Sequence, residues 1–425
     1  MLPRRAGGAL GIDPEAYLES LEPIGWKLGL ERMHRLTTLL GLPQHRFASI
    51  HVVGTNGKSS VTRMVAALLE AHGVSAGACV SPHASRWSER ILIRGREIGT
   101  AEFAAAVERA AQAATTVNCG LEEGEAVTQF ELATAAAFVA FATARVQAAA
   151  IEAGLGGRLD ATNTISSRVT VLTSVGLDHT QWLGETLEQI AAEKLAVLRD
   201  HSTLVLGRVD PPVAALAERT ARERGARLLV APEEPDPGVE LRVPGGFQRR
   251  NFALACAAAE AFLGELDPER VAVAAGGVEI PGRLERVASD PPIYLDAAHN
   301  PQGAVALAEA LSELSGGRPV VACLAILGDK DAAATIAALA PAVDFVVCTE
   351  LPVATLERRG MPGAASHPAR ELAAACAAAG LDAEAESDLA TALRRARERA
   401  AGVGGILVIC GSHYLLAPAR HVLAG

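Results

Sequence analysis

Aromatic side chains are scarce in this sequence of 425 residues: Phe, Trp and Tyr make up 4% of it, although 50% of the residues are hydrophobic. We therefore expect cores of Ala, Val and Leu, which is typical of helices packed on buried parallel strands. No hydrophobic run reaches the length of a membrane span, and the first residues lack the apolar segment of a secretory signal. We expect an α/β protein of the cytoplasm, without a membrane partner and with two or three domains.

Positive charge is also in short supply, because 39 Lys and Arg stand against 49 Asp and Glu, for a net charge of −10. A nucleic-acid surface needs a basic stripe, and none is visible, so we expect no nucleic-acid partner. The seven cysteines form no paired motif. They are expected to be reduced, small core residues.

The most informative stretch is an apolar run, a glycine turn and a helical pattern. The run around Ile50 predicts a buried strand, and apolar residues at helical spacing from Val61 to Leu69 predict a helix that ends at Gly73. Between them lies Gly54–Ser60, which reads Gly-Thr-Asn-Gly-Lys-Ser-Ser. The turn is shorter than the general P-loop pattern, so an ordinary strand-to-helix turn stays open as an alternative.

The residue types of this turn favour a phosphate site. Gly54 and Gly57 let the backbone approach a ligand closely, the helix start offers unpaired N–H groups, and Lys58 adds positive charge. Either Ser59 or Ser60 can place a hydroxyl on a magnesium ion bound to the same phosphates. We therefore interpret the stretch as a nucleotide-binding turn.

A second site is predicted where two later strands end. Glu152 closes an apolar strand at 148–153, and Asp178-His179 follow a strand at 168–175. A buried carboxylate must be paired or bound to metal, because burying it alone is costly. Parallel strands end on one side of a sheet, so Glu152 and His179 should converge on the phosphate turn. Glu152 and His179 are candidate ligands of a divalent metal, although a structural carboxylate and a core histidine are alternatives. Spacing alone gives Lys194 no role beyond a solvated helix face.

Proline and glycine near 280–283 predict a domain boundary. We expect an ATP-binding domain with an N-terminal arm over residues 1–281 and a smaller α/β domain over residues 282–425. In the latter, the pattern predicts strands at 293–296, 319–325, 343–348 and 406–410, and helices at 302–315, 331–340, 368–379 and 387–401. Polar residues follow the first strand at Asp296–Pro301 and the last at Gly411–His413.

A phosphate turn, a Glu/His metal site and a second domain suit ATP-driven activation of a carboxylic acid. The acid attacks the γ-phosphate, and an amine then displaces phosphate to form an amide. Closure of the second domain would keep water off the acyl phosphate. Residue types alone do not specify the substrate.

The order of the motifs resembles folylpolyglutamate synthase/dihydrofolate synthase, within the Mur ligase superfamily. The resemblance covers nearly the whole chain and is carried by Gly54–Lys58, Ser81–His83, Glu89–Ile91, Glu152–Asn163, Asp178-His179, Glu193-Lys194, Pro281–Arg283, Asp296–Pro301, Asp329–Asp331 and Gly411-Ser412. It implies a P-loop-type parallel-sheet ATPase domain followed by a smaller Rossmann-like domain. It also implies an ATP-dependent ligase that joins L-glutamate to dihydropteroate or a folate, with ATP and Mg as cofactors and a monomer as the expected state.

The resemblance assigns roles residue by residue. Lys58, Lys194 and His299 would be catalytic, with Lys194 carbamylated. ATP would be bound by Gly54, Thr55, Asn56, Gly57, Lys58, Ser59, Ser60, Asn251, Arg283 and Asp296. Magnesium would be held by Ser60, Ser81, Glu152, His179 and Lys194. Lys27, Leu28, Gly29, Thr128 and Leu159 would border the pterin, and His299 and Ser412 would lie near the incoming glutamate.

Two rival functions differ in class. Another Mur-type ligase would use a different acid, such as a UDP-linked peptidoglycan precursor, and pterin-dependent ATP turnover would distinguish it. A nucleotide-binding regulator without ligase activity would bind ATP even after the loss of Glu152 or His179. The sequence leaves open whether one or both glutamylation reactions occur.

Overall fold

The computed structural model describes residues 13–22, 29–358 and 363–424. The chain divides into two compact units. The first runs up to Pro232 and includes Leu254–Ala274, and the second comprises Glu233–Ala253 and the residues from Ala275 onward. The functional boundary expected between residues 281 and 282 stays a prediction. None of the helices in the described ranges combines the length and the apolar character that a membrane span requires.

The strands described in the first unit form one eight-stranded sheet. They are β1 Ala48–Val53, β2 Ala76–Cys79, β3 Ile91–Ile93, β4 Arg96–Glu97, β5 Ala148–Glu152, β6 Ser167–Leu172, β7 Thr203–Leu206 and β8 Arg227–Val230. Their order is β4-β3-β2-β5-β1-β6-β7-β8. β1 pairs in parallel with β5 and β6, whereas β3 and β4 form an antiparallel edge. The central strand therefore delivers its turn between the ends of β5 and β6.

Helices cover both faces of this sheet, because its central strands are buried and apolar on both sides. The helices are α1 Pro14–Glu19, α2 Glu31–Leu39, α3 Lys58–Ala71, α4 Thr100–Asn118, α5 Gln129–Ala144, α6 Thr180–Leu183, α7 Leu187–Leu195 and α8 Pro211–Glu223. Helices α9 Gly246–Leu263 and α10 Pro268–Gly277 cross the division between the units. Helices α1 and α2 form the N-terminal arm, whose Leu18, Met33 and Leu36 are fully buried in the first core.

The second unit contains a six-stranded sheet in the described part of the chain. Its strands are β9 Glu285–Ser289, β10 Pro292–Leu295, β11 Val320–Leu324, β12 Phe345–Cys348, β13 Asp382–Ala385 and β14 Ile406–Cys410, in the order β13-β12-β11-β14-β10-β9. Its helices are α11 Pro301–Ser315, α12 Ala332–Leu339, α13 Val353–Arg358, α14 Ala369–Ala378, α15 Leu389–Gly402 and α16 Leu416–Ala424. The pairs are parallel except for β9 with β10. The predicted α/β class with parallel-dominated sheets is confirmed.

Several elements differ from the sequence predictions. The sequence pattern does not indicate the strands β3, β4, β9 and β13 or the helices α6, α10, α13 and α16. It also predicts a helix over 187–199, whereas α7 ends at Leu195. Of these strands, β4, β9 and β13 lie at sheet edges, where half of the backbone groups need no partner and the hydrophobic signal is weak, and β3 lies next to the edge strand β4. β13 reads Asp-Ala-Glu-Ala, which is poor in the β-branched residues that strands prefer.

Candidate active site

The turn after β1 has the backbone of a ligand cradle. Gly54 and Gly57 have φ values of 153° and 84°, and a Cβ on Gly54 would overlap the hydroxyl of Thr173. Helix α3 begins at Lys58, and no side chain in the described part of the chain caps its first turn. The Nζ atom of Lys58 donates to Thr55 O at 3.2 Å. N–H groups at an uncapped helix start beside a lysine suit a phosphate.

Three of the predicted residues meet at the end of this turn. Glu152, the last residue of β5, is 2% exposed. Its Oε1 atom lies 2.9 Å from Ser59 Oγ, and its Oε2 atom accepts the Ser81 N–H at 2.8 Å. Ser59 Oγ also lies 3.1 Å from Ser81 O. We call Ser59, Ser81 and Glu152 the carboxylate cluster, which joins segments that follow β1, β2 and β5.

Ser60 differs from its neighbour Ser59. Its side chain is 1% exposed, and its Oγ atom has no hydrogen-bond partner among the described residues. A buried hydroxyl without a partner costs about 1–3 kcal/mol, so a ligand atom would relieve the cost. The prediction placed Ser60 among the metal ligands, but the structure places Ser59, and not Ser60, in hydrogen-bond contact with Glu152.

The residues present suit a magnesium ion better than a metal held by nitrogen or sulfur. A carboxylate and serine hydroxyls are the hard oxygen ligands that Mg²⁺ prefers. Within the described residues, no three His, Cys, Asp or Glu side chains gather as a metal site of their own. Magnesium commonly takes one or two carboxylates together with substrate phosphates, and this donor set fits that mode.

Lys194 is the least expected member of the site, because spacing alone gave it no role. It lies on α7, is 3% exposed and donates from Nζ to Gly54 O at 2.9 Å. Burial lowers the pKa of Lys194 to about 7, and the positive charge of Lys58 adds to this effect, while Asp178 and Asp160 oppose it. A substantial fraction of the amine is therefore uncharged near neutral pH.

β5 and β6 lie on either side of β1. Glu152 is the last residue of β5, and His179 lies in the segment that follows β6. His179 has a φ of 50° and occupies the N-cap position of α6, with no capping hydrogen bond from its side chain in the described residues. Its side chain is 43% exposed, and its Nε2 atom lies 3.8 Å from Asp178 Oδ1. An exposed imidazole at this edge can reach a ligand from solvent.

The glycine-rich segment after β5 borders the start of α5. The space that a Cβ on Gly154 would need is filled by the ring of Phe130. Within the segment, Asp160 accepts the N–H groups of Leu155 at 2.9 Å and Thr162 at 3.0 Å, and burial raises the pKa of its carboxyl. Leu159 beside it is 39% exposed, as a substrate contact requires.

Sequence reasoning did not single out Phe130 or Asp160 as site residues. A carboxylate inside a glycine-rich run that follows an apolar strand was the available signal for Asp160. The predicted Thr128 caps α5, with its Oγ1 atom accepting the Glu131 N–H at 3.2 Å. Of the predicted pterin contacts, Lys27 and Leu28 lie outside the described residues, whereas Gly29 lies within them.

Predicted residues of the second unit follow β10 and β14, whereas Asn251 lies on α9. Asp296 follows β10, and its Oδ2 and Oδ1 atoms accept the N–H groups of Leu284 at 2.9 Å and Ala298 at 2.8 Å. Burial raises the pKa of Asp296, and the charge of Arg283 opposes the shift. The Nδ1 atom of His299 lies 2.9 Å from Ala297 O.

Two further predicted residues of this unit have short-range partners. Ser412 Oγ accepts the Tyr414 N–H at 3.2 Å after β14. Asn251 lies on α9 and donates from Nδ2 to Gln248 Oε1 at 3.0 Å. The hydrogen bonds of Ser412 and Asn251 therefore fix local geometry and do not by themselves reveal a ligand.

Comparison with known proteins defines the class of this fold and site. Residues 52–234 match the Mur ligase middle domain, and residues 282–413 match the glutamate ligase domain of the Mur ligases. The chain is thus a Mur ligase, a class of ATP-dependent amide ligases. These two matches span both sheets and the phosphate turn.

Curated relatives show to which family within the Mur ligases the chain belongs. A dihydrofolate synthase/folylpolyglutamate synthase of Mycobacterium tuberculosis is 37% identical over 358 residues, 75% of this chain and 74% of the relative. An Escherichia coli enzyme of the same name is 32% identical, over 79% of this chain and 81% of that one. The chain belongs to the dihydrofolate synthase/folylpolyglutamate synthase family.

Solved structures agree with this assignment. The M. tuberculosis folylpolyglutamate synthase complexed with ADP has a TM-score of 0.87, 32% identity and 97% coverage of both chains. E. coli FolC in complex with DHPP and ADP has a TM-score of 0.85 and 28% identity, with 99% of both chains covered. The bifunctional Yersinia pestis enzyme complexed with AMPPNP and a Mn ion has a TM-score of 0.81 and 31% identity, over 96% of this chain and 97% of that one.

Proposed function

We propose that this chain joins L-glutamate to dihydropteroate, to a folate, or to both, at the expense of ATP. The observation that carries the proposal is the carboxylate cluster at the phosphate turn, where Glu152 meets Ser59 and Ser81. Support also comes from relatives named for these two activities and from a similar structure that holds DHPP and ADP. The acid substrates share a pterin ring and a carboxylate.

In the proposed reaction the carboxylate of the pterin acid attacks the γ-phosphorus of ATP, and ADP leaves. The α-amine of glutamate then attacks the acyl carbon, loses a proton and releases inorganic phosphate. Lys58 and the N–H groups at the start of α3 neutralise charge on the transferred phosphoryl group. His299 and Ser412 contact the glutamate or the acyl phosphate, and Asn251, Arg283 and Asp296 contact ATP.

Magnesium fits the oxygen-rich edge described above. Ser59, Ser81, Glu152 and His179 would hold it, together with Lys194 in carbamate form, and Ser60 would give its unpaired hydroxyl to a phosphate. When bound, the metal neutralises phosphate charge and orients the nucleotide. The lowered pKa of Lys194 supports the carbamate, because only an uncharged amine reacts with carbon dioxide.

The division of labour follows the two predicted domains. Residues 1–281 are proposed to bind ATP and the pterin acid, the latter through Lys27–Gly29, Thr128 and Leu159. Residues 282–425 are proposed to serve glutamate and to contribute Arg283 and Asp296 to the binding of ATP. A monomer in the cytoplasm is the proposed state, and the free cysteines of the described residues agree with a reducing compartment.

The test is phosphate release by purified protein with ATP, magnesium and L-glutamate, and with dihydropteroate, tetrahydrofolate or neither acid added. Release with dihydropteroate alone identifies a dihydrofolate synthase, and release with both acids identifies a bifunctional enzyme. Phosphate release that neither acid raises above background would contradict the proposal. A UDP-linked peptidoglycan precursor is the next acid to test in that case.

A further inference from the structure

A buried ion pair lies outside the reaction machinery described above. Arg32, on α2 of the N-terminal arm, places its Nε atom 3.1 Å from both carboxylate oxygens of Glu131, which lies in the first turn of α5. The two residues are 8% and 5% exposed and are 99 positions apart in the chain. A buried pair of this kind is weak evidence for stability, because the cost of removing both charges from water offsets their attraction. The ion pair therefore calls for an explanation other than stability.

Glu131 has a second task at the same place. Its Oε2 atom accepts the Thr128 N–H at 2.8 Å, while Thr128 Oγ1 accepts the Glu131 N–H at 3.2 Å. This reciprocal cap fixes the first turn of α5. Because Arg32 holds the carboxylate that closes the cap, its position determines the orientation of Thr128.

The same turn carries Phe130 toward the glycine-rich segment. The Phe130 ring fills the space beside Gly154, which lies two positions after Glu152. The ion pair of Arg32 with Glu131, the chain neighbour Phe130 and the packing of Phe130 beside Gly154 therefore link the arm to the segment that carries Leu159. Close packing of this kind transmits a small displacement, because there is little free volume to absorb it.

The arm holds this region through additional contacts. Gln129 donates its backbone N–H to Glu22 O at 2.8 Å and its Nε2 to Leu18 O at 2.9 Å. Glu15 accepts the Trp87 N–H at 2.9 Å, in the segment that follows Ser81. The arm thus fixes both the start of α5 and the segment after β2.

We propose that Arg32 is a positioning residue that sets the affinity for the pterin acid through Glu131, Thr128 and Phe130. The inference rests on the proposed function, because it takes Thr128 and Leu159 to border the pterin. Among the described residues, Arg32 hydrogen-bonds to Glu131 and makes no hydrogen bond to the nucleotide turn or to the carboxylate cluster. Its loss should therefore affect the acid more than ATP.

The experiment compares Arg32→Met and Arg32→Lys with wild type in acid-dependent phosphate release. We expect Arg32→Met to raise KM for the acid by about tenfold or more, because it leaves the Glu131 charge unpaired and free to reorient. KM for ATP should change by less than about threefold. Arg32→Lys keeps the charge without the planar guanidinium and should recover part of the affinity. Arg35→Met is the matched control, because Arg35 pairs with Glu31 on the exposed side of the same helix.

The double variant Arg32→Met/Glu131→Gln separates positioning from stability. It removes both charges, so thermal stability should recover relative to Arg32→Met, but KM for the acid should stay raised. Recovery of both quantities would overturn the positioning role, as would an unchanged KM for the acid in an active Arg32→Met protein. Wild-type protein without pterin-dependent phosphate release would instead overturn the proposed function, so the two failures are distinguishable.

Discussion

The carboxyl edges of the two sheets both carry polar residues, but those residues are satisfied in different ways. In the first sheet, Ser59, Ser81 and Glu152 come from segments far apart in the chain and bond to one another. In the second sheet, Asp296 and Ser412 bond to backbone N–H groups within twelve positions of their own. The bonded partners at the first edge are far apart in the chain, as in an assembled site, whereas those at the second edge are close together, as in a local turn.

The two edges also differ in the hydrogen bonding and charge of their buried polar groups. At the first edge, the buried hydroxyl of Ser60 has no hydrogen-bond partner within the described ranges, and the buried amine of Lys194 is only partly charged near neutral pH. At the second edge, Asp296 uses both carboxylate oxygens, and Asn300 caps α11 through Gly303 N at 2.8 Å. The first edge therefore carries polar groups that a ligand would satisfy, whereas the second edge uses the residues proposed to contact ATP and glutamate to hold its own loops as well.

The largest expected effect is at Glu152. Glu152→Gln keeps the size of the side chain but removes the charge that would face magnesium, so activity should fall by at least about 100-fold. Turnover at saturating ATP and acid measures this loss, and a thermal unfolding curve serves as the control for folding. If Glu152→Gln were active with the magnesium dependence of the wild type, the carboxylate cluster would have no part in the mechanism.

The two serines give a second contrast within the first edge. Ser59→Ala should lower activity by about 10- to 100-fold and raise the magnesium concentration needed for half-maximal rate, because Ser59 lies against Glu152. Ser60→Ala should leave magnesium dependence unchanged and raise KM for ATP by a smaller factor. Magnesium titrations of both variants test this order. The reverse pattern would restore Ser60 as the metal-side serine.

At the second edge the expected effect is mainly on stability. Asp296→Asn replaces one acceptor oxygen by an NH₂ group that faces a backbone N–H, which should lower the free energy of unfolding by about 1–3 kcal/mol. Chemical denaturation measures the change, and KM for ATP measures any additional role in nucleotide binding. Unaltered stability together with lost ATP affinity would mean that this edge resembles the first one.

The smallest effect at neutral pH concerns His51 inside the first sheet, whose contribution appears only as the solution becomes acidic. His51 on β1 is fully buried, with Nε2 2.9 Å from Thr162 Oγ1, and burial lowers its pKa to about 3 from 6.5, with Arg199 adding to the shift. Between those values the unfolded chain binds more protons, so the free energy of unfolding falls as pH falls, by up to about 1.4 kcal/mol per pH unit.

His51→Gln lacks this titrating group. The stability difference between wild type and His51→Gln should therefore shrink from pH 7 to pH 4 in urea unfolding experiments. A difference that stays constant over this range would show that His51 titrates normally. Asp296 acts in the opposite direction, because its raised pKa makes the folded state hold a proton to higher pH.

The sequence predicted the elements whose signal is strong. The run around Ile50, the glycine turn and the helical spacing after it appear as β1, the turn and α3, because burial on both faces imposes a clear pattern. The short edge strands β9 and β13 were not predicted, because edges require neither alternation nor strong β-propensity.

The site was predictable in part for a related reason. Strand ends indicated that Glu152 would lie near the phosphate turn, since parallel strands share a carboxyl edge. Neither the Ser59 contact with Glu152 nor the burial of Lys194 could be inferred from spacing, because both depend on how α3 and α7 pack. The pairing of Arg32 with Glu131 joins residues 99 positions apart and leaves no local signal at all.

The central claim is that the pterin acid is activated as an acyl phosphate, and one isotope measurement tests it directly. The acid found active by phosphate release is prepared with ¹⁸O in its carboxylate and turned over with ATP and L-glutamate. The account predicts that each phosphate released carries one ¹⁸O atom, because the carboxylate oxygen that attacks the γ-phosphorus leaves with it. Phosphate free of ¹⁸O beside newly formed amide product would contradict the account.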